Sequence, residues 1–367
     1  MIFYLLLLLL TPYLLQIFNL GRKLRSVNLA KFEPELQPMS KFSVIIPATD
    51  ERFSLEQIIE KLNNQTYPQD FFEVIIGFDG NRQNFEFFQQ KTTSLKNFSL
   101  EIEEDKIGKK GLLKLLIAKT KNDNILQIDA DVAIPQTMLQ GYNQLLRMHK
   151  PDCIIGGVKP QVEEIDDFFV KLFGLDFLSL QGVQIATLYQ NNPGMANGAN
   201  LLYTKESYYA VVQELENIKS ESGDDTFLVQ FLNKLGKNII WADLSECQVT
   251  SPIPQSISEF LNQRARWGSK TNEYINLNYK ILAYLTLFGS VSLLLSIFFW
   301  LGGKVLFVGM LFLFGLKGIV DYLLLRNVIA VYDQNYLLKN MVLNTFIYPF
   351  LLVIAAFKAI FGLYTWK

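Results

Sequence analysis

The residues of this chain best placed to do chemistry are acids that close apolar runs. Ile125–Ile128 leads directly into Asp129-Ala130-Asp131, and Pro135 follows closely. Two carboxylates one residue apart repel each other unless a cation or ordered donors compensate, and hard oxygen ligands suit magnesium or manganese. The chemistry expected there is a metal ion holding a diphosphate, with an ordinary solvated turn as the alternative. Ile75-Ile76-Gly77-Phe78-Asp79-Gly80 ends an apolar run in the same way. Its acid can accept hydrogen bonds from a nucleobase and its glycine permits close backbone approach; a plain strand-to-turn transition has the same composition.

Three further groups carry charge in suggestive places. Gly108-Lys109-Lys110-Gly111 stands ahead of a helical stretch, where amides and lysines can hold phosphate, although the spacing is not that of a P-loop. Ser222-Gly223-Asp224-Asp225-Thr226 leads into the apolar helix Phe227–Leu235. An acid at that position is commonly a helix cap; the second reading makes Asp225 a general base that reaches an acceptor hydroxyl. Gln263-Arg264-Ala265-Arg266-Trp267 precedes the last apolar runs. Arg266 can neutralise a departing diphosphate and Trp267 can pack on an acceptor, or the segment is a basic, aromatic membrane-interface stretch.

Positioning such groups requires a frame, and the middle of the chain supplies one. From residue 41, short β-branched runs (Phe42–Ile46, Val74–Phe78, Leu100–Glu103, Ile125–Ile128 and Ile154–Val158) alternate with stretches such as Leu55–Asn63 and Leu112–Ala118, whose apolar residues recur at helical spacing. This pattern predicts an α/β fold with a mostly parallel sheet. Ligands of such sheets bind beyond the carboxyl ends of the strands, which is where Asp79 and Asp129 fall.

The ends of the chain are of another kind. Residues 2–20 form an apolar run long enough to cross a bilayer as a helix, kinked at Pro12. The basic cluster Arg22, Lys23 and Arg25 follows it, and cytoplasmic flanks collect Lys and Arg. The central region is therefore expected inside the cell. Three more spans are expected at 281–301, 305–325 and 341–363, with Gly302-Gly303-Lys304 as an external turn and a polar, cytoplasmic connection from Arg326 to Lys339. Lys317 and Asp321 interrupt the second of these; charges at that depth face protein or water, and the alternative is a buried core helix. The expected organisation is a membrane helix over 1–20, a linker over 21–40, a catalytic domain over 41–250, an interfacial segment over 251–280 and about three membrane helices over 281–363. Phe168–Ile185 is apolar enough to lie in the membrane interface or to pack as a surface helix.

A net charge of −1 leaves no footprint for nucleic acid. Two cysteines, Cys153 and Cys247, make neither a disulfide framework nor a four-ligand zinc site, and read as core. The single histidine, His149, lies in the polar stretch RMHK and reads as a solvated surface residue.

In their joint order, Ser43-Val44-Ile45-Ile46-Pro47, Phe78-Asp79-Gly80, Asp129-Ala130-Asp131, Asp224-Asp225 and Gln263-x-x-Arg266-Trp267 resemble the family 2 glycosyltransferases. The likeness is to the membrane-bound branch with the Q-x-x-R-W motif, which includes cellulose, hyaluronan and chitin synthases and ceramide glucosyltransferases. It covers roughly residues 41 to 270. The resemblance implies a GT-A fold, a UDP-sugar donor, Mg2+ or Mn2+, and an inverting single displacement. Carried over residue by residue, Pro47 and Asp79 would hold the uridine, and Asp129 and Asp131 the diphosphate and metal; Lys109, read from its own Gly-Lys-Lys-Gly stretch, is expected on the donor phosphates. Asp225 would deprotonate the acceptor with Asp224 beside it, Asn197 and Gly198 would belong to the acceptor-side loop, and Gln263, Arg266 and Trp267 would line the diphosphate and acceptor end. Asp50-Glu51 stands where the family has Asn-Glu, and Gly-Asp-Asp where it has Thr-Glu-Asp.

The layout of one leading and about three trailing helices resembles the ceramide glucosyltransferases and implies transfer of one sugar to a membrane lipid at the cytoplasmic leaflet. The alternative is a processive synthase acting on a growing glycan, which needs a water-filled path lined by protein that four helices hardly provide. A catalytically inactive scaffold is the third reading, disfavoured because every expected acid is present.

Overall fold

Ile2–Leu24 forms the first helix (α1), and an irregular stretch leads from it to Phe42–Ala48 (β1). The computed structural model describes residues 2–48, 51–220, 222–298 and 304–365. β1 contains no charged residue and is buried at six of its seven positions, as befits a strand covered on both faces. Phe72–Asp79 (β2) and Asn124–Ile128 (β4) pair with it in parallel on either side, and Phe98–Glu103 (β3) extends the sheet beyond β2. The crossovers are Arg52–Asn63 (α2), Arg82–Thr92 (α3) and Gly108–Lys119 (α4). α4 buries Leu112, Leu113, Leu116 and Ile117. Its close seat on β2 depends on Gly77, where a Cβ would stand 2.9 Å from the side chains of Leu112 and Leu116.

The full sheet has seven strands in the order β3-β2-β1-β4-β7-β5-β8. After Met138–His149 (α5) come Cys153–Ile155 (β5) and Val158–Pro160 (β6), so the single strand expected over 154–158 is two short ones. Asn200–Thr204 (β7) is antiparallel to both β4 and β5. Lys205–Tyr209 (α7), Val212–Glu216 (α8) and Asp224–Lys234 (α9) lead to Ile239–Trp241 (β8), which pairs in parallel with β5; Val249–Ser251 (β9) pairs with β6. The chain leaves β1 towards β2 and β3, then returns to the other side of β1 as β4. Strand order therefore reverses between β1 and β4, and ligands of such sheets bind beyond the strand ends at that reversal.

The chain divides into two units: residues 28–159 with 195–252, which hold this sheet, and residues 1–27, 160–194 and 253–367. The second unit comprises α1, Phe168–Leu188 (α6), Ile257–Gly268 (α10), Leu277–Ile297 (α11), Lys304–Val331 (α12) and Met341–Ile360 (α13). Five of its helices, all but α10, are long and apolar enough to cross a membrane. α12 runs to Val331, so the connection expected from Arg326 begins later; Gly302-Gly303 lies outside the described residues.

The charges in α12 are satisfied within the unit. Lys317, 2% exposed, pairs with Asp321, which also accepts a 2.6 Å hydrogen bond from the Tyr13 hydroxyl of α1. Only a third of the apolar window of α12 is buried, which is not the pattern of a core helix. α6 differs from both expectations for it: 72% of its apolar window is buried and it packs on α1 and α12. A helix apolar on all sides is buried on all sides, and its acid Asp176 is neutralised by Arg264 of α10. Cys153 and Cys247 are free and fully buried in the sheet unit, and burial pushes both thiols above their usual range.

Candidate active site

The acids cluster where strand order reverses. Asp129 and Asp131 follow β4, and Glu51 stands just beyond β1. Asp129 Oδ1 accepts a 2.5 Å hydrogen bond from Lys109 Nζ in the first turn of α4. Desolvation, and then the charges of Asp129 and Glu51, push Asp131 up to about 6 against the pull of Lys109. A carboxylate held up by neighbouring acids is a site that gains from a cation. Among the described residues no group of three or more acids, histidines or cysteines could hold a metal. Two carboxylates suffice for a hard cation that takes its remaining ligands from substrate phosphates and water, so the residues present fit Mg2+ or Mn2+.

Lys109 joins the two acidic groups. Desolvation opposes its charge, but Asp129, Asp225 and Asp224 outweigh it and hold the ammonium above the usual lysine value. Lys110 is used otherwise, donating to the carbonyls of Leu215 and Ile218 at 2.5 and 3.1 Å. α4 starts at Gly108, whose φ of +72° is left-handed. Asp79 ties that start to β2, since its carboxylate accepts from the Ile107 and Gly108 amides at 2.9 and 3.0 Å. Asp79 thus orders the turn that presents Lys109. Pro47, opposite Gly77 in the register, lies past the part of β1 that pairs with β4, so its missing N–H interrupts no bond on that side.

Asp224 and Asp225 occupy the first turn of α9, and the cap position belongs to Gly223 at φ +96°. Neither acid is therefore the cap residue. Asp225 Oδ2 accepts from the Gly198 amide at 2.6 Å and Oδ1 from the Thr226 amide at 2.6 Å. The carboxylate is fixed against the Asn197-Gly198 loop, where Asn197 Oδ1 accepts from the Ala199 amide at 3.0 Å. Gly198 is required by crowding, because a Cβ there would meet Gln127 Nε2 at 2.8 Å and Asp225 Oδ2 at 3.3 Å. Asn200 pins the base of the loop: it is fully buried, accepts from the Tyr142 hydroxyl and donates to the Gly157 and Cys247 carbonyls.

Sequence reasoning overlooked Gln127. Buried in β4, it donates to the Gly198 carbonyl at 3.3 Å and accepts from the Tyr203 hydroxyl at 3.2 Å. The signal was there, a polar residue inside an otherwise apolar strand two positions before Asp129. The structure brings together Asp79, Lys109, Asp129, Asp131, Asp224, Asp225, Asn197 and Gly198 in the sheet unit. Gln263, Arg266 and Trp267 belong to α10 of the other unit. There the buried Arg264 guanidinium lies 4.2 Å from the Trp267 ring centroid, and Gln263 Oε1 is buried with no hydrogen-bond partner among the described residues.

Residues 38–269 match the family described as "Glycosyltransferase like family 2". Among solved structures, the mannosyltransferase PcManGT from Pyrobaculum calidifontis, in complex with GDP-Man and Mn2+, is similar at 14% identity with a TM-score of 0.59, over 98% of each chain. S. aureus TarS 1-349 in complex with UDP is similar at 14% identity over 88% of this chain and 92% of that one, with a TM-score of 0.43. No curated protein sequence matches the chain.

Proposed function

The chain belongs to glycosyltransferase-like family 2, and from that premise we propose that it is a membrane-embedded, inverting glycosyltransferase that moves a sugar from a UDP-sugar to a lipid acceptor at the cytoplasmic leaflet. The observation that carries the reading is the convergence of three parts on one spot. Lys109 bonds Asp129 and is held charged by Asp225 and Asp224, while Asp225 is fixed by the amide of the Asn197-Gly198 loop. A phosphate-facing cation, an acidic pair and an oriented carboxylate are what sugar transfer from a nucleoside diphosphate requires.

In this reading Asp129 and Asp131 hold Mg2+ or Mn2+, which supplies charge neutralisation for the departing diphosphate. The mannosyltransferase of similar fold contains Mn2+ and a nucleotide sugar, which supports both assignments. Lys109 faces the phosphates from the start of α4, where helix amides also favour anions. Asp225 takes the proton of the acceptor hydroxyl as its oxygen bonds to the anomeric carbon. The bond from that carbon to the diphosphate breaks on the opposite face, UDP leaves, and the configuration inverts. The two amides on Asp225 fix its orientation and leave lone pairs for the proton, since a carboxylate offers about four acceptor sites.

The membrane assignment rests on α1, α11, α12 and α13, which combine apolar composition with large apolar side chains left exposed, among them Leu8, Phe288, Phe312 and Phe350. Such surface suits lipid rather than water. Sugar transfer by membranes carrying the chain is measured with a lipid extract, with and without Mn2+, and the product is identified by mass spectrometry. A single sugar on a lipid with release of UDP is expected. Turnover unaffected by chelation, release of GDP only, or a long polymer as product each removes the corresponding part of the proposal.

A further inference from the structure

The helical unit contains a cavity of about 240 Å³. Its wall is built from Gln16 of α1, Thr187, Gln190 and Asn192 at and beyond the end of α6, and Asn278 and Tyr279 in the first turn of α11, with Leu282 as the apolar contribution. The lining is made of carboxamides and hydroxyls and carries no charge. Each carboxamide offers two donors and an acceptor, a set that recognises hydroxyl groups and gives an ionised group no counter-charge.

The wall is organised. Asn276 donates to Asn192 Oδ1 at 2.8 Å and to the Pro193 carbonyl at 3.0 Å, while its own Oδ1 accepts from the Tyr279 amide at 3.1 Å. Tyr279 lies against Gly194, where a Cβ would come within 2.6 Å of the ring. Thr187, at the end of α6, is held in the wall by its hydroxyl, which donates to the Val183 and Gln184 carbonyls.

The depth of the cavity selects its ligand. Gln16 lies eight residues before Leu24, about 12 Å along the helix, inside an apolar span whose last turn carries Arg22 and Lys23. Polar side chains at that level are costly and mark function. The volume of about 240 Å³ leaves room for a glycerol unit or one sugar ring. We propose that this cavity binds the uncharged, hydroxyl-bearing head group of a membrane lipid. The inference rests on the reading of α1 and α11 as membrane spans and not on sugar transfer.

The full chain is reconstituted without donor into phosphatidylcholine nanodiscs doped with either diacylglycerol or phosphatidic acid of the same acyl chains, and retained lipid is counted by native mass spectrometry. The expected result is roughly tenfold or greater preference for diacylglycerol, the scale of one to two neutral hydrogen bonds. The preference should be lost in both Gln16→Leu and Gln190→Leu. Should Gln16→Leu fail to fold, Asn278→Ala, at an exposed position, replaces it. Equal retention of the two lipids, a preference unchanged by these substitutions, or displacement of diacylglycerol by free glycerol at equal concentration overturns the proposal. Carbonate extraction separates the two premises: a chain released from membranes ends the membrane reading, whereas one that stays embedded without lipid preference ends this inference alone.

Discussion

Asp225→Asn discriminates most sharply between a base and a loop anchor. The carboxylate holds two amides, Gly198 through Oδ2 and Thr226 through Oδ1, each at 2.6 Å. Asparagine keeps the size but has one acceptor oxygen, so one of those amides must face an NH2 group. Losing a hydrogen bond to a charged acceptor costs about 1.5–3 kcal/mol, which is small beside the roughly 5–15 kcal/mol stability of a typical domain. The loop should stay folded and donor affinity should change little. Loss of a general base lowers turnover by about two to four orders of magnitude, or about 2.7–5.5 kcal/mol of barrier, which exceeds the bond alone over most of that range. Sugar transfer and donor binding are measured side by side in Asp224→Asn and Asp225→Asn over a range of pH. In Asp225→Asn the residual rate should climb steadily with pH, as hydroxide substitutes for the missing base, while Asp224→Asn should be much milder. Transfer by Asp225→Asn within about tenfold of the unaltered chain would refute the assignment, since one lost hydrogen bond accounts for that much.

Four further outcomes are expected. Asp129→Asn or Asp131→Asn should abolish turnover; and because metal takes the deprotonated carboxylate, Mn2+ affinity measured by calorimetry should weaken about tenfold for each unit that pH falls below about 6, where Asp131 titrates. Gly198→Ala drives a methyl group into Gln127 and Asp225, so it should cost about 1–3 kcal/mol in a melting experiment and impair transfer well beyond that loss. Lys317→Met leaves the half-buried Asp321 beside Tyr13 without its counter-charge, a loss of up to about 3–5 kcal/mol visible as a lower thermal midpoint in detergent; Lys317→Met with Asp321→Leu should recover most of it. In intact cells a cysteine at position 304 should react with an impermeant maleimide and one at position 119 should not; the reverse pattern would invert the topology.

Local signals made the first four strands and their helices legible: β1, β2 and β4, buried along most of their length, read as apolar runs, the half-exposed edge strand β3 alternates apolar and polar residues, and Asp79 and Asp129 stand at strand ends. β7 and β8 were not legible: β8 has only three residues, and β7, though no shorter than β4, takes its antiparallel direction from partners distant in sequence. The expected strand is split because β5 belongs to the main sheet and β6 pairs with β9; at the break glycine is needed, since a Cβ at Gly156 would stand 2.2 Å from the Asn200 side chain. In the site, residue type marked Asp129, Asp131 and Asp225. The service of Asp79 to the Gly108 turn and of Gln127 to the Gly198 loop is a matter of which backbone groups lie opposite, and no spacing encodes that. α6 was open to two readings because its buried polar residues look like a solvated face until Arg264 and Tyr332 are seen to partner Asp176 and Gln181.

The excursion of residues 160–194 out of the sheet unit bears on how the chain can be made and dissected. The backbone passes between the two units at 27/28, 159/160, 194/195 and 252/253, so neither is a contiguous piece of sequence. During synthesis α6 emerges before α12, the helix it packs on, and its apolar surface must wait while well over a hundred further residues are added. Contacts of such separation slow folding and leave apolar segments open to aggregation. A fragment ending near residue 252 would carry α6 without α12, and its expression as a soluble catalytic piece should fail for that reason even though every acid of the site is included. Successful truncation calls instead for a short linker in place of 161–194, which joins β6 to the Asn197-Gly198 loop ahead of β7 and keeps that loop.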